Sequence, residues 1–180
     1  MNLFDLNTNN ITMNIEGKDM EMKPAICYGK VYDKWLVSPC GKVWSLRYNR
    51  ILAGCKSSAF NKNGRRTIKN IVYSMYLNEE DWWEDGSTLK ITNGGGIYWQ
   101  RLIRGHKMIM DTWKPLYDNP PVGVSWEDWK IARDLPTIYD TISKSLAIDH
   151  IDDDPTNNHV DNLERVTQWD NNPHIKKRLK

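Results

Sequence analysis

Short runs in which apolar and polar residues alternate, separated by Gly, Pro and Asn, dominate the first two thirds of the chain and predict strands. Lys34-Trp-Leu-Val meets a turn at Ser38-Pro-Cys-Gly41 and resumes as Lys42-Val-Trp-Ser-Leu46, the pattern of a β-hairpin. After a turn at Asn61-Lys-Asn-Gly64, residues Thr67 to Leu77 are rich in β-branched and aromatic side chains and predict a longer strand. Further strands are expected at Leu89–Thr92 and Ile97–Ile103, on either side of the break Asn93-Gly-Gly-Gly96. His106 to Trp113 predicts a short helix that Pro115 stops. Residues 1–22 show no periodicity, and 1–27 are expected to be a poorly ordered leader.

The last third reads differently. Asn119-Pro-Pro121 marks a linker, and Ser125-Trp-Glu-Asp128 is a capping-box pattern with Asp in place of Glu, opening a helix to about Asp134. Pro136 ends that helix or starts the next. A strand at Leu146–Ile151, a polar loop, a strand at Leu163–Thr167 and a helix from Gln168 complete the pattern. The expected class is α+β: a β-rich region over 28–115, a linker with short helices over 116–145, and a small ββα unit over 146–180.

Charge sharpens this division. The 180 residues carry a net charge of only +2, which taken whole argues against a polyanionic partner. Residues 28–70, however, hold ten basic side chains against Asp33 alone, a net of +9. Residues 71–163 carry −8 and residues 164–180 carry +3, so two basic blocks flank an acidic middle. That is the footprint of contact with phosphates. Nine Trp and eight Tyr against two Phe favour half-buried and partner-facing surfaces. Cys27, Cys40 and Cys55 form no Cys-x-x-Cys pair, so neither a disulfide framework nor a four-ligand zinc site is expected. No apolar run approaches the roughly 18 residues of a membrane span, and the N-terminus lacks the features of a secretion signal.

Candidate chemistry is concentrated in Ile148-Asp149-His150-Ile151-Asp152, Asn157-Asn158, Asp161-Asn162-Leu163, Val166-Thr167 and Asp170-Asn171. Neighbouring strand residues face opposite ways, so Asp149 and His150 serve different roles, one toward a metal and one toward a substrate. Thr167 is placed to cap the last helix, with Asn171 on its first turn and His174 three residues further along the same face. A carboxylate with an amide oxygen is a hard ligand set suited to Mg²⁺ or Mn²⁺.

This segment closely resembles the HNH, or ββα-metal, endonucleases, especially the phage homing type. Trp35-Leu-Val-Ser-Pro-Cys-Gly-Lys-Val-Trp-Ser-Leu46 is similar to the DNA-binding module at the N-terminal end of such enzymes. His106-Lys-Met-Ile-Met-Asp-Thr-Trp113 is similar to the helix before their nuclease motif. The resemblance implies that Asp149 and Asn171, with His174 as a possible third ligand, hold one divalent ion at the scissile phosphate. It implies that His150 is the general base and that Asn162 fixes the backbone carrying His150. The substrate so implied is double-stranded DNA, in the cytoplasm of an infected bacterial host. His174 also reads as a phosphate contact or as a solvent-facing helix residue.

Two departures stand out. Asp152-Asp-Asp154 occupies the loop where the family has a Gly, and Pro173 falls inside the last helix. A separate C-terminal DNA-binding module, present in many members of that family, is not expected in this sequence. Target reading is therefore assigned to Lys42, Arg47, Arg50, Lys62, Arg65, Arg66 and Lys69, with Lys176, Lys177 and Arg178 in support. The alternatives are a DNA-binding regulator without catalysis on the same scaffold, and a nuclease acting on RNA or structured DNA.

Overall fold

The computed structural model describes residues 10–60, 63, 65–77, 88–93 and 96–171. The architecture is α+β, with three antiparallel sheets, three α-helices and two single-turn 3-10 helices in these residues. The first sheet is a meander of β1 (Ile11–Ile15), β2 (Lys18–Cys27), β3 (Lys30–Val37), β4 (Val43–Ser45) and β5 (Arg50–Ile51). The second contains β6 (Cys55–Phe60), β7 (Arg66–Leu77), β8 (Thr88–Asn93) and β9 (Gly96–Arg104), in the order β6-β7-β9-β8. The third is the pair β10 (Leu146–His150) and β11 (Leu163–Thr167), in register from Leu146↔Thr167 to His150↔Leu163. The helices are α1 (Gly105–Trp113), α2 (Trp126–Arg133) and α3 (Pro136–Ser145).

The expected hairpin is β3–β4, paired from Trp35↔Ser45 to Val37↔Val43. The expectation of a poorly ordered leader is corrected over residues 10–27, which form β1 and β2; residues 1–9 lie outside the described residues. The reason is a period-two pattern carried by Met. Ile15 and Met22 are buried with Leu36, and Met13 and Met20 pack against them. Glu16 and Gly17 close the β1–β2 hairpin with φ of 55° and 79°, the two left-handed positions that a two-residue turn between twisted strands requires.

Helix α1 is the hub. Met108, Ile109 and Met110 are buried in one core with Ala25, Cys27 and Val37 of the first sheet, Tyr73, Met75 and Ile103 of the second, and Val160 and Leu163 of the C-terminal unit. Burying each such side chain stabilises the fold by about 1.5–3 kcal/mol. Thr112 Oγ1 accepts from Ile26 N at 2.8 Å and donates to Met108 O at 2.7 Å. Trp113 Nε1 donates to Val37 O at 3.1 Å. On the other side, Arg165 of β11 donates to Lys114 O and, at 3.2 Å, to Asp111 Oδ1. The linker is pinned by Trp129, fully buried, whose Nε1 donates to the carbonyls of Leu116 and Tyr117, each at 3.1 Å. The Ser125 cap forms as expected, Oγ accepting from Asp128 N at 3.1 Å. Among the described residues no helix is long and apolar enough to cross a membrane.

Arg165 is buried, and desolvation pushes its pKa below the ordinary arginine value while Asp111 opposes the shift. Asp111→Ala leaves that cation buried with no carboxylate and is expected to cost about 3–5 kcal/mol in urea unfolding, whereas Arg165→Met removes the charge itself and should cost far less. Equal losses in the two variants would show that the ion pair is not what joins α1 to β11.

Candidate active site

Strand β10 delivers Asp149 and His150 at its end, and the loop that follows is held by its own polar side chains. Asn162 Oδ1 accepts from Asp152 N at 3.1 Å, and its Nδ2 donates to Asp152 Oδ1 at 2.8 Å and to Asn157 O at 2.9 Å. Ile151 N donates to Asn162 O at 2.9 Å. Asn162 thus bonds across the loop that carries His150. Asp152 also accepts from Asn157 Nδ2 at 2.7 Å, and Asp154 accepts from Thr156 N and Oγ1 at 2.8 and 2.7 Å. These bonds favour the charged forms. Asp152 is held below the ordinary carboxylate range first by Asn157 and then by Asn162, and Asp154 by Thr156. Asp153, between them, takes φ of 60°, a conformation that Asp tolerates better than most residues. The acidic triplet builds its turn from side-chain acceptors and one left-handed Asp.

His150 is only 8% exposed. Its Nε2 lies 3.0 Å from Asn158 Oδ1, and its ring meets that of His106 edge to face, with centroids 5.5 Å apart and planes at 88°. Its backbone N–H donates to Asp149 Oδ1 at 3.0 Å. The Asn158 contact is invisible in the sequence, where Asn157-Asn158 reads as loop chemistry. His106, read from sequence as a packing or capping residue, reaches the candidate base. At the end of β11, Thr167 Oγ1 accepts from Asp170 N at 3.1 Å, and Asn171 N donates to Thr167 O at 3.1 Å. The expected Thr167–Asp170 bond therefore forms, on a turn over residues 168–171 that carries Asn171; the remainder of the helix expected from Gln168 lies outside the described residues.

Asp149, His150 and Asn171 line one groove of about 1910 Å³, bordered by β2, β7, α1 and α3. The carboxylate of Asp149 and the amide of Asn171 are both hard oxygen donors, so the side chains brought to the groove fit a divalent ion that completes its shell with water. Among the described residues no three His, Cys, Asp or Glu side chains cluster as a ready-made metal cage. His174 lies outside the described residues, as do Lys62, Lys176, Lys177 and Arg178.

Of the basic residues named from sequence, Lys69 lines the groove. Lys42 instead pairs with Glu16 at 3.2 Å. Arg47 and Arg50 flank the Tyr48 ring at 5.5 and 5.7 Å, and Arg65 and Arg66 stand at the start of β7. None of these five is part of the groove lining. Its other cations include Lys23, Arg104, Lys107 and Lys144, three of them in the acidic middle of the sequence, where net charge hid them.

Comparison with known proteins bears on the same segment. Residues 141–172 match the family model described as HNH endonuclease, a stretch that contains β10, β11, Asp149, His150, Asn162 and Asn171. This segment, the HNH unit, is similar to the HNH endonucleases. A solved structure, described as "DNA binding and cleavage by the HNH homing endonuclease I-HmuI", aligns with 82% of this chain and 54% of that one, at 17% identity and a TM-score of 0.37. The chain therefore spans about half the length of that protein. No curated protein matches the chain.

Beside the HNH unit, His106 is held down to about 4, chiefly by burial and then by His150, Arg104 and Lys107. Its folded pKa lies below the ordinary 6.5, so the stability tied to its neutral form is present above 6.5 and lost as pH falls toward 4. Between pH 7 and 5 the linked loss should be about 2 kcal/mol. His106→Phe should remove that part of the slope in denaturant titrations; an unchanged slope would place the titration elsewhere.

Proposed function

We propose that the protein is a metal-dependent endonuclease of the homing type, hydrolysing phosphodiester bonds of double-stranded DNA at a recognised site. The observation that carries the reading is that Asp149, His150 and Asn171, distant by up to 22 positions and all inside the segment that matches the HNH model, line one groove.

His150 is the general base. With the amide oxygen of Asn158 turned to Nε2, that nitrogen carries the proton and Nδ1 is the basic one. His150 takes a proton from a water molecule as the water oxygen bonds to phosphorus, and the bond from phosphorus to O3′ breaks. O3′ is protonated from solvent, which leaves 5′-phosphate and 3′-hydroxyl ends. Asp149 and Asn171 would hold Mg²⁺ or Mn²⁺, which would supply Lewis-acid stabilisation of the negative charge that develops in the reaction. His174 is a candidate third ligand. Asn162 keeps the loop closed so that His150 stays at the end of β10.

The groove cations Lys69, Arg104 and Lys107 suit backbone phosphates beside the scissile bond. Arg47, Arg50, Arg65 and Arg66, with Lys42 and Lys62, are the candidates for reading the target, helped by Lys176, Lys177 and Arg178. The proposed setting is the cytoplasm of an infected bacterium.

Supercoiled plasmid carrying candidate target sites, incubated with Mg²⁺ or Mn²⁺, tests this reading. Wild type should nick or linearise it, and His150→Ala should cut about 10²- to 10⁴-fold more slowly. Cutting that survives His150→Ala at the wild-type rate would contradict the base assignment. DNA binding by wild type with no metal-dependent cutting would favour a regulator instead.

A further inference from the structure

The first turn of α1 meets the site at two points that the chemistry above leaves unused. A β-carbon built on Gly105 would lie 2.9 Å from Asn158 Nδ2 and 3.0 Å from Tyr73 Cε2. The next residue, His106, sets its ring edge to face against that of His150. The other end of Asn158 is confined as closely. A β-carbon on Gly41, in the turn between β3 and β4, would lie 3.0 Å from the Asn158 carbonyl oxygen and 3.1 Å from its Cβ. The same turn accepts Val160 N on Pro39 O at 2.8 Å. Asn158 is thus held at its backbone by the β3–β4 turn and at its amide by the start of α1, both upstream of the HNH unit, and its amide oxygen is left facing His150 Nε2 at 3.0 Å.

An imidazole on a strand end can turn about χ1 and χ2. A hydrogen bond at Nε2 and a ring packed against it oppose that rotation from two independent contacts. We propose that Gly105 and His106 are positioning residues for the cleavage reaction: Gly105 acts through the Asn158 amide, and His106 by direct ring contact. The general base is then aimed by α1, outside the HNH unit, and that unit's sequence alone does not contain its full catalytic geometry. The inference rests on His150 being the base.

Gly105 is the sharper probe. It is not in the left-handed region, so Ala strains no backbone there and is the better helix former. What Ala adds is a methyl group against the Asn158 amide and the edge of the Tyr73 ring. In the full-length chain with Mn²⁺ and supercoiled plasmid, Gly105→Ala should lower kcat about 10- to 100-fold, with KM near wild type. In an Asn158→Ala background the same substitution should add no further loss, because the group it displaces is gone. His106→Ala should lose rate while His106→Phe, which keeps a ring against His150, should retain most of it. Long-range ¹H–¹⁵N spectra of the metal-free protein give a readout that needs no cleavage: His150 should be protonated at Nε2 in wild type and a tautomer mixture in Gly105→Ala. Wild-type kcat and tautomer in Gly105→Ala and His106→Ala would overturn the proposal, as would a Gly105→Ala loss that adds in full to Asn158→Ala and lowers Tm. If His150→Ala cuts as fast as wild type, the base assignment itself fails; if His150→Ala is inactive while Gly105→Ala is unimpaired, the positioning role alone fails.

Discussion

Asp111 sits where three parts of the chain meet. Its carboxylate accepts from Tyr28 N at the turn between β2 and β3, from Lys107 Nζ one helical turn back on α1, and from the buried Arg165 of β11. A charge buried beside β11 needs that partner, because removing it strands a guanidinium in a low-dielectric interior. The ion pair therefore fixes more than a local contact. It sets the side of α1 that faces the HNH unit, and with it the direction in which Gly105 and His106 approach Asn158 and His150. The apolar face of α1, seated on both larger sheets, makes this geometry rigid by close packing rather than by charge.

The site is built in layers of different chemistry. The β10–β11 ladder brings Asp149 and His150 to one end of a short sheet, and Thr167 starts a turn that brings Asn171 to the same groove. Asn162 and the acidic loop hold the connection with polar bonds that are exposed, so each contributes modestly and the network works as a whole. Asn158, by contrast, is buried and packed between backbone segments, so its single bond to His150 is not exchanged for one to water. The neutral, half-buried His106 adds a ring contact without adding charge beside His150.

Much of this was legible from local signals. The alternation around Pro39 and Gly41 marked β3 and β4, the β-branched run marked β7, and Ser125 marked the start of α2. The spacing from Asp149 to Asn171 located the HNH segment that the family model matches. Three features were not legible, each for a physical reason. β1 and β2 alternate with Met, whose weak strand preference hides the period, and the Glu16–Gly17 turn has no strong sequence signature. Asn158 looks like any loop Asn, because its role comes from the close approach of Gly41 and Gly105, respectively 117 and 53 residues away. The groove cations Arg104 and Lys107 lie in a net-acidic stretch, and a regional sum cannot report which side chains the fold brings to one surface.

If α1 joins the two halves as described, the HNH unit should have no folding equilibrium of its own. Native-state hydrogen exchange on the full-length protein reads this directly, through the amides of Ile26 in β2, Met110 in α1 and Ile148 and Val166 in the HNH pair. All should open with one shared free energy, and Arg165→Ala should lower them together. Exchange of Ile148 and Val166 at a distinctly lower free energy than Ile26 and Met110, unchanged by Arg165→Ala, would show that the HNH unit opens by itself and that α1 does not build the site.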